Sequence, residues 1–245
     1  MTGDDRHAVP EVIAFDADDT LWHNEIHYAR AQQRLQALLA PYRGDDGLVD
    51  ELYRTEMANL AMFGYGLKSF GLSMIETAIR VTRGRIQAGD VDQILDLVKE
   101  MKRAPVELLE HVAEVIPTLA RSHTLMVITK GDLLDQEDKM GRSGLAPYFC
   151  HVEVVSAKTE EVYRALLRKH QIPPQRFLMV GNSLRSDVLP VVALGGHGVH
   201  IPYAITWQHE QASATSRELD QPYVHLEHVG LLPGYLERLA APHHG

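Results

Sequence analysis

Cysteine is nearly missing from this chain: among 245 residues there is only Cys150. With no second thiol there is no intramolecular disulfide, and the fold requires no oxidising compartment. Positive charge is also scarce. Lys and Arg total 24 against 33 Asp and Glu, a net charge of -9, the wrong sign for general binding along a phosphate backbone. No nucleic-acid partner is expected. Long apolar runs are absent too. The longest stretch free of Lys, Arg, Asp and Glu, Val188 to His209, is interrupted by two prolines, three glycines and three histidines, so it reads as a helix end, a turn and a strand rather than a membrane span. The first residues are acidic and the apolar stretch Val12 to Phe15 is too short for a secretory signal. A cytoplasmic address without membrane attachment is the expectation. There is no internal repeat and no low-complexity segment.

What remains is an ordinary globular composition, 45% hydrophobic and 23% charged, enough for one large domain or a core with an insert. Five short apolar runs have the length and continuity of buried parallel strands: Val12–Phe15, Leu125–Ile128, Val152–Val155, Phe177–Val180 and Gly198–Ile201. From residue 107 onward they alternate with amphipathic segments, Glu107–Arg121, Leu133–Met140, Lys158–His170 and Leu184–Leu194. Strand alternating with helix at this pitch predicts an α/β fold with a doubly wound parallel sheet. Between Leu21 and Ala104 the alternation stops and four helices are predicted, Arg30–Leu39, Leu48–Met62, Ser69–Arg83 and Val91–Arg103, the last capped by Asp90 and stopped by Pro105. The expected organisation is a core of residues 1–20 and 106–245 carrying a helical insert of residues 21–105. Gly44-Asp-Asp-Gly47 reads as an acidic turn and the His-His-Gly end as frayed.

Polar residues cluster where the strands end. The first strand runs into Asp16-Ala-Asp18-Asp19-Thr20, and in an open parallel sheet ligands bind outside the carboxyl ends of the strands. On an extended backbone Asp16 and Asp18 share a side. Two close carboxylates repel, which raises one pKa and divides the pair into an ionised and a protonated group. A solvated acidic turn is the other reading. The second strand delivers Thr129, followed by Lys130-Gly131-Asp132 at a helix start, where free backbone N–H groups favour an anion. Lys158 follows the third strand, placed to neutralise Asp16 and hold a phosphoryl oxygen. The fourth strand ends in Gly181-Asn182-Ser183, with Asp187 four residues on. Oxygen donors such as Asn182 and Asp187 suit Mg²⁺.

Taken in order, these residues resemble the haloacid dehalogenase superfamily: Asp16-Ala-Asp18-Asp-Thr20 its first motif, Thr129-Lys130-Gly131 its second, Lys158 its third and Gly181-Asn182-Ser183 with Asp187 its fourth. The helical insert is similar to the family's first type of cap domain. The resemblance implies a Rossmann-like core and a Mg²⁺-dependent phosphatase acting on a small phosphorylated metabolite. Asp16 would be the nucleophile and Asp18 the general acid and base. Thr129, Lys130, Gly131 and Lys158 would bind substrate; Asp16, Asp18 through its main-chain carbonyl, Asn182 and Asp187 would hold the metal. Asn182 departs from the family, where aspartate is more frequent, and Asp19 stands where glycine is commoner. The carboxylate at Asp18 argues against dehalogenation, whose halide leaving group needs no proton. A phosphomutase and a catalytically silent module binding Mg²⁺ or phosphate remain as alternatives, and both monomer and homodimer stay open.

Weaker signals read as structural. His23 and His27, four apart on an expected helix, lack a third metal ligand; Gly195-Gly-His-Gly198 lacks the Lys-Ser/Thr ending of a phosphate loop. Met57, Met62, Phe63, Tyr65 and Phe70 read equally as a substrate-facing surface of the insert or as plain core. Cys150, without a base partner nearby in sequence, is expected to be buried and inert.

Overall fold

The computed structural model describes residues 9–42, 47–205 and 223–241; the acidic turn at 44–46 and the chain end lie outside these residues. The chain divides into two units, one of residues 1–23, 106–129 and 140–245, the other of residues 24–105 and 130–139.

The first unit is built on a six-stranded sheet. Its strands are β1 (Val12–Phe15), β2 (Thr124–Lys130), β3 (His151–Val155), β4 (Phe177–Gly181), β5 (His197–His200) and β6 (Val224–His225), in the order β3-β2-β1-β4-β5-β6. Val12 of β1 pairs in parallel with Thr124 on one side and Phe177 on the other. Helices α5 (Val112–Leu119), α7 (Glu160–Lys169), α8 (Leu189–Ala193) and α9 (Leu232–Ala240) connect or follow the strands. The doubly wound α/β fold expected from the apolar runs is present.

Burial follows the period-two pleat. Ile13 and Phe15 of β1, Leu125 and Val127 of β2, and Leu178 and Val180 of β4 pack with Val112, Ile116 and Leu119 of α5 and with Leu232 and Leu236 of α9. The intervening residues Ala14, Met126, Ile128 and Met179 pack with Tyr163, Leu166 and Leu167 of α7 and Val191 of α8. Both faces are covered, which is why the strands read as continuous apolar runs. At about 1.5–3 kcal/mol for each fully buried large aliphatic or aromatic side chain, these two layers fix the register that sets every strand end.

Two expected helices differ in form. Residues 107–109 are extended rather than helical, because Leu108 bridges Trp22, His23 N–H donates to Glu107 O and Leu109 N–H donates to Leu21 O. His111 then takes a left-handed φ of 66° and α5 begins. After β4, residues Leu184–Val188 form a single wide π-turn before α8.

The second unit is helical: α1 (Glu25–Leu39), α2 (Leu48–Phe63), α3 (Leu67–Val81), α4 (Ala88–Arg103) and α6 (Leu133–Arg142, of which residues up to 139 belong here). Its core takes Ala31, Leu35 and Leu39 from α1, Leu48 and Leu52 from α2, Phe70, Met74 and Ala78 from α3, and Ile94 from α4, the i, i+4 stripes of amphipathic helices. Asp90 is not the cap of α4: Gln87 is, and Asp90 sits at the third helical position, accepting from Gln87 N–H as the other half of a capping box. Lys102 binds Asp135 and Asp138, each at 2.9 Å, and Lys139 binds Asn24 Oδ1 at 2.8 Å, tying α6 to this unit. Among the described residues no helix is long and apolar enough to cross a membrane.

Candidate active site

The strand order reverses at β1 and β4, so the loops leaving these two neighbours open a crevice at the carboxyl edge of the sheet. Asp16 leaves β1 there, its N–H still donating to Val180 O of β4 at 2.9 Å. The chain then turns tightly: Leu21 N–H reaches Ala17 O at 2.8 Å, and Asp19 N–H reaches Trp22 O at 2.8 Å. Asp19 pays for the turn with a left-handed φ of 61°, a conformation glycine adopts without strain. This is the physical reason a glycine suits the position. Asp16 is buried, while Asp18 is half-buried and accepts a 2.7 Å hydrogen bond from Trp22 Nε1.

Lys158 joins the strand ends. Its ammonium binds the Asp16 carboxylate and, at 2.6 Å, Asp187 Oδ1, with its side chain 1% exposed. Burial opposes the charge on Lys158, but Asp16 and Asp187 outweigh it and hold the ammonium up to about 12. Burial pushes the Asp16 carboxyl up to about 7, against the pull of Lys158; Asp187 adds to the rise, and Asp18 adds least. The rise at Asp16 is therefore mainly the work of desolvation rather than of repulsion by Asp18.

The fourth strand end is organised around Asp187. Its Oδ2 accepts from Ser183 N–H at 3.0 Å, and Ser183 Oγ accepts from Ser186 N–H at 3.1 Å, capping the π-turn. Tyr163 Oη donates to Ser186 O at 3.1 Å and braces the turn from α7. Asn182 is half-buried; His200 Nε2 lies 3.0 Å from its main-chain oxygen, and Thr20 Oγ1 lies 3.5 Å from its Oδ1 and 3.4 Å from Asp16 Oδ2. Thr129 is buried near the end of β2. Asp16, Lys158 and Asp187 are thus in direct contact, and Thr20 links Asp16 to Asn182.

A profile of the haloacid dehalogenase-like hydrolases matches residues 10–195. The chain belongs to this family. A haloacid dehalogenase-like family hydrolase from Xanthomonas campestris is 38% identical, with 94% of this chain and 92% of that one covered and a TM-score of 0.84. Two more distant structures share the fold: the HAD-hydrolase YfnB of Bacillus subtilis, bound to magnesium (15% identity, 94% and 100% coverage, TM-score 0.67), and a 2-haloacid dehalogenase of Pseudomonas syringae (20%, 94% and 100%, 0.62). No curated protein sequence matches.

The donor set of this haloacid dehalogenase-like hydrolase fits a hard divalent cation. In their ionised forms Asp16 and Asp187 outnumber the single ammonium between them, a negative excess that a cation would offset. The amide oxygen of Asn182, reached from Asp16 through Thr20, keeps the donors all oxygen, the kind Mg²⁺ prefers. Among the described residues no three His, Cys, Asp or Glu side chains group as metal ligands.

Lys130 and Gly131 fall in the helical unit. Lys130 Nζ lies 4.6 Å over the Tyr65 ring, and Gly131 takes a left-handed φ of 129°. Two readings, those of His23 and Cys150, need correcting. His23 precedes α1, so it does not share a helical face with His27; it instead bonds Tyr203 Oη at 2.7 Å. Cys150 is exposed, not buried, because it lies in the short connection just before the edge strand β3. Phe70 is core and packs on Tyr28 at 4.8 Å, while Met62 and Phe63 are exposed. Sequence reasoning missed Trp22, Tyr163 and His200 as supports of the site. Only the Ser183 cap carried a local signal, a serine just ahead of a helical segment.

Proposed function

We propose that this hydrolase is a Mg²⁺-dependent phosphatase of small phosphorylated metabolites, working through an aspartyl-phosphate on Asp16. The observation that carries the reading is Asp18: a half-buried carboxylate held two residues beyond a buried, lysine-paired carboxylate. Asp16, paired with the Lys158 ammonium, suits the nucleophile, and Asp18, partly open to solvent, suits the group that exchanges a proton with alcohol and water. The helical unit acts as a cap in this reading.

In the first step an Asp16 carboxylate oxygen bonds to phosphorus as the ester P–O bond breaks, and Asp18 gives its proton to the departing alkoxide. In the second, Asp18 takes a proton from water as the hydroxyl oxygen attacks the acyl phosphate, releasing inorganic phosphate and restoring Asp16. Lys158 and Thr129 hold the phosphoryl oxygens. Asp16, the Asp18 carbonyl, Asn182 and Asp187 would hold Mg²⁺, which when bound would supply the charge neutralisation that lets one anion approach another.

Release of inorganic phosphate from an aryl phosphate is the test, run with Mg²⁺, with EDTA and with Asp16→Asn, alongside halide release from a 2-haloacid. Metal-dependent phosphate release abolished by the substitution is expected. Halide release without phosphate release would assign the chain to dehalogenation instead.

A further inference from the structure

The buried partner of Asp18 has no part in the chemistry above. Trp22 is 1% exposed and belongs to the sheet core. Its backbone is pinned on both sides, by the Asp19 N–H at its carbonyl and by the bridge to Leu108. A ring fixed by packing aims its only polar atom in one direction, and an indole has a single donor and no acceptor. That donor lies 2.7 Å from Asp18 Oδ1. A buried indole N–H needs some acceptor, and a backbone carbonyl would serve stability as well. Here the acceptor is instead the side chain assigned to proton transfer.

We infer that Trp22 is a positioning residue for Asp18. It holds Oδ1 and fixes the plane of the carboxylate that gives and takes the proton. The inference rests on Asp18 being the acid and base. Proton transfer demands a donor held within hydrogen-bond reach of the leaving oxygen, and groups whose rotamers are locked by packed neighbours meet that demand best. Trp22 supplies the lock from the core, four residues along the same loop.

The Trp22→Phe variant keeps a large aromatic ring and removes the N–H. The readout is kcat/KM for a series of phosphate monoesters, from nitrophenyl through phenyl to alkyl. A nitrophenolate departs without help, whereas an alkoxide needs a proton. Trp22→Phe is expected to lose less than about twofold on the nitrophenyl ester and about tenfold or more on the alkyl ester, a share of the 10²–10⁴ that general acid catalysis contributes. Asp18→Asn is expected to show the same dependence more steeply. A loss equal across the series, or none, would overturn the positioning role and leave Trp22 a core side chain. If Asp18→Asn itself shows no leaving-group dependence, the acid assignment fails rather than the contact. The contact has its own readout, independent of turnover. The indole ¹H–¹⁵N signal of Trp22, identified by its disappearance in Trp22→Phe with Trp207 as the internal control, is expected to move and to exchange faster with solvent in Asp18→Ala. An unmoved signal would also overturn the inference.

Discussion

Asp187 occupies the space that a side chain at Gly181 would fill: a Cβ built on Gly181 would lie 2.2 Å from Asp187 Oδ2. The missing methyl lets the π-turn fold back over the end of β4, so that the same carboxylate accepts from Ser183 N–H and binds Lys158. Gly181→Ala therefore forces Asp187 out of its place. Overpacking of this kind costs about 1–3 kcal/mol, and a displacement near 1 Å at a reacting centre costs about 10²-fold in rate. Thermal unfolding together with kcat is the measurement. A variant with the parent's Tm and turnover would show that Asp187 need not sit where it does.

The raised carboxyl of Asp16 links stability to pH. The unfolded carboxyl titrates near 3.8 and the folded one near 7, so the fold favours the protonated form. Its contribution is whole below 3.8 and is lost as pH rises through 7. Asp16→Asn fixes the neutral state. In EDTA, the Tm of Asp16→Asn minus that of the parent is expected to increase from pH 4 to pH 8. A difference that stays flat or decreases would mean that Lys158 overrides the burial of Asp16.

The strands and their polar ends were legible because their causes are local. Ile13, Ala14 and Phe15 are all buried, on two faces, so β1 shows as an unbroken apolar run. The turn after it shows as three carboxylates and a threonine. What could not be read depends on pairing across the chain. Residues 107–109 carry helical periodicity, yet their backbone groups are claimed by Leu21 to His23. The two-residue β6 is too short to leave a pattern. The Trp22 contact to Asp18 has helical spacing without a helix, and Cys150 owes its exposure to its place before the edge strand.

Asn182 tests the metal reading directly. It stands beside Thr20 at 3.5 Å and is fixed through its carbonyl by His200, so its Oδ1 is placed like a carboxylate oxygen but brings no charge. Asn182→Asp adds that charge to the same backbone position. The Mg²⁺ concentration giving half-maximal phosphatase activity, or half of the Mg²⁺-induced rise in Tm, is expected to fall about tenfold, near the 10–100-fold effects typical of groups around a metal site. An unchanged Mg²⁺ requirement would place the metal away from this residue.

Asp19 allows the backbone and the side chain to be separated. Its φ of 61° is strained for a residue with a Cβ, by about 1–2 kcal/mol, and its side chain is buried. Neither Asp19→Ala nor Asp19→Gly keeps the carboxylate, so the difference between the two isolates the backbone. Glycine relieves the left-handed strain and alanine does not, although glycine also gains freedom in the unfolded chain, which trims the benefit. Asp19→Gly is accordingly expected to be about 1 kcal/mol more stable than Asp19→Ala in urea unfolding. Equal stabilities would mean that the turn relaxes out of the left-handed region once the aspartate is gone, and the tight loop presenting Asp18 would then owe its shape to the Asp19 side chain.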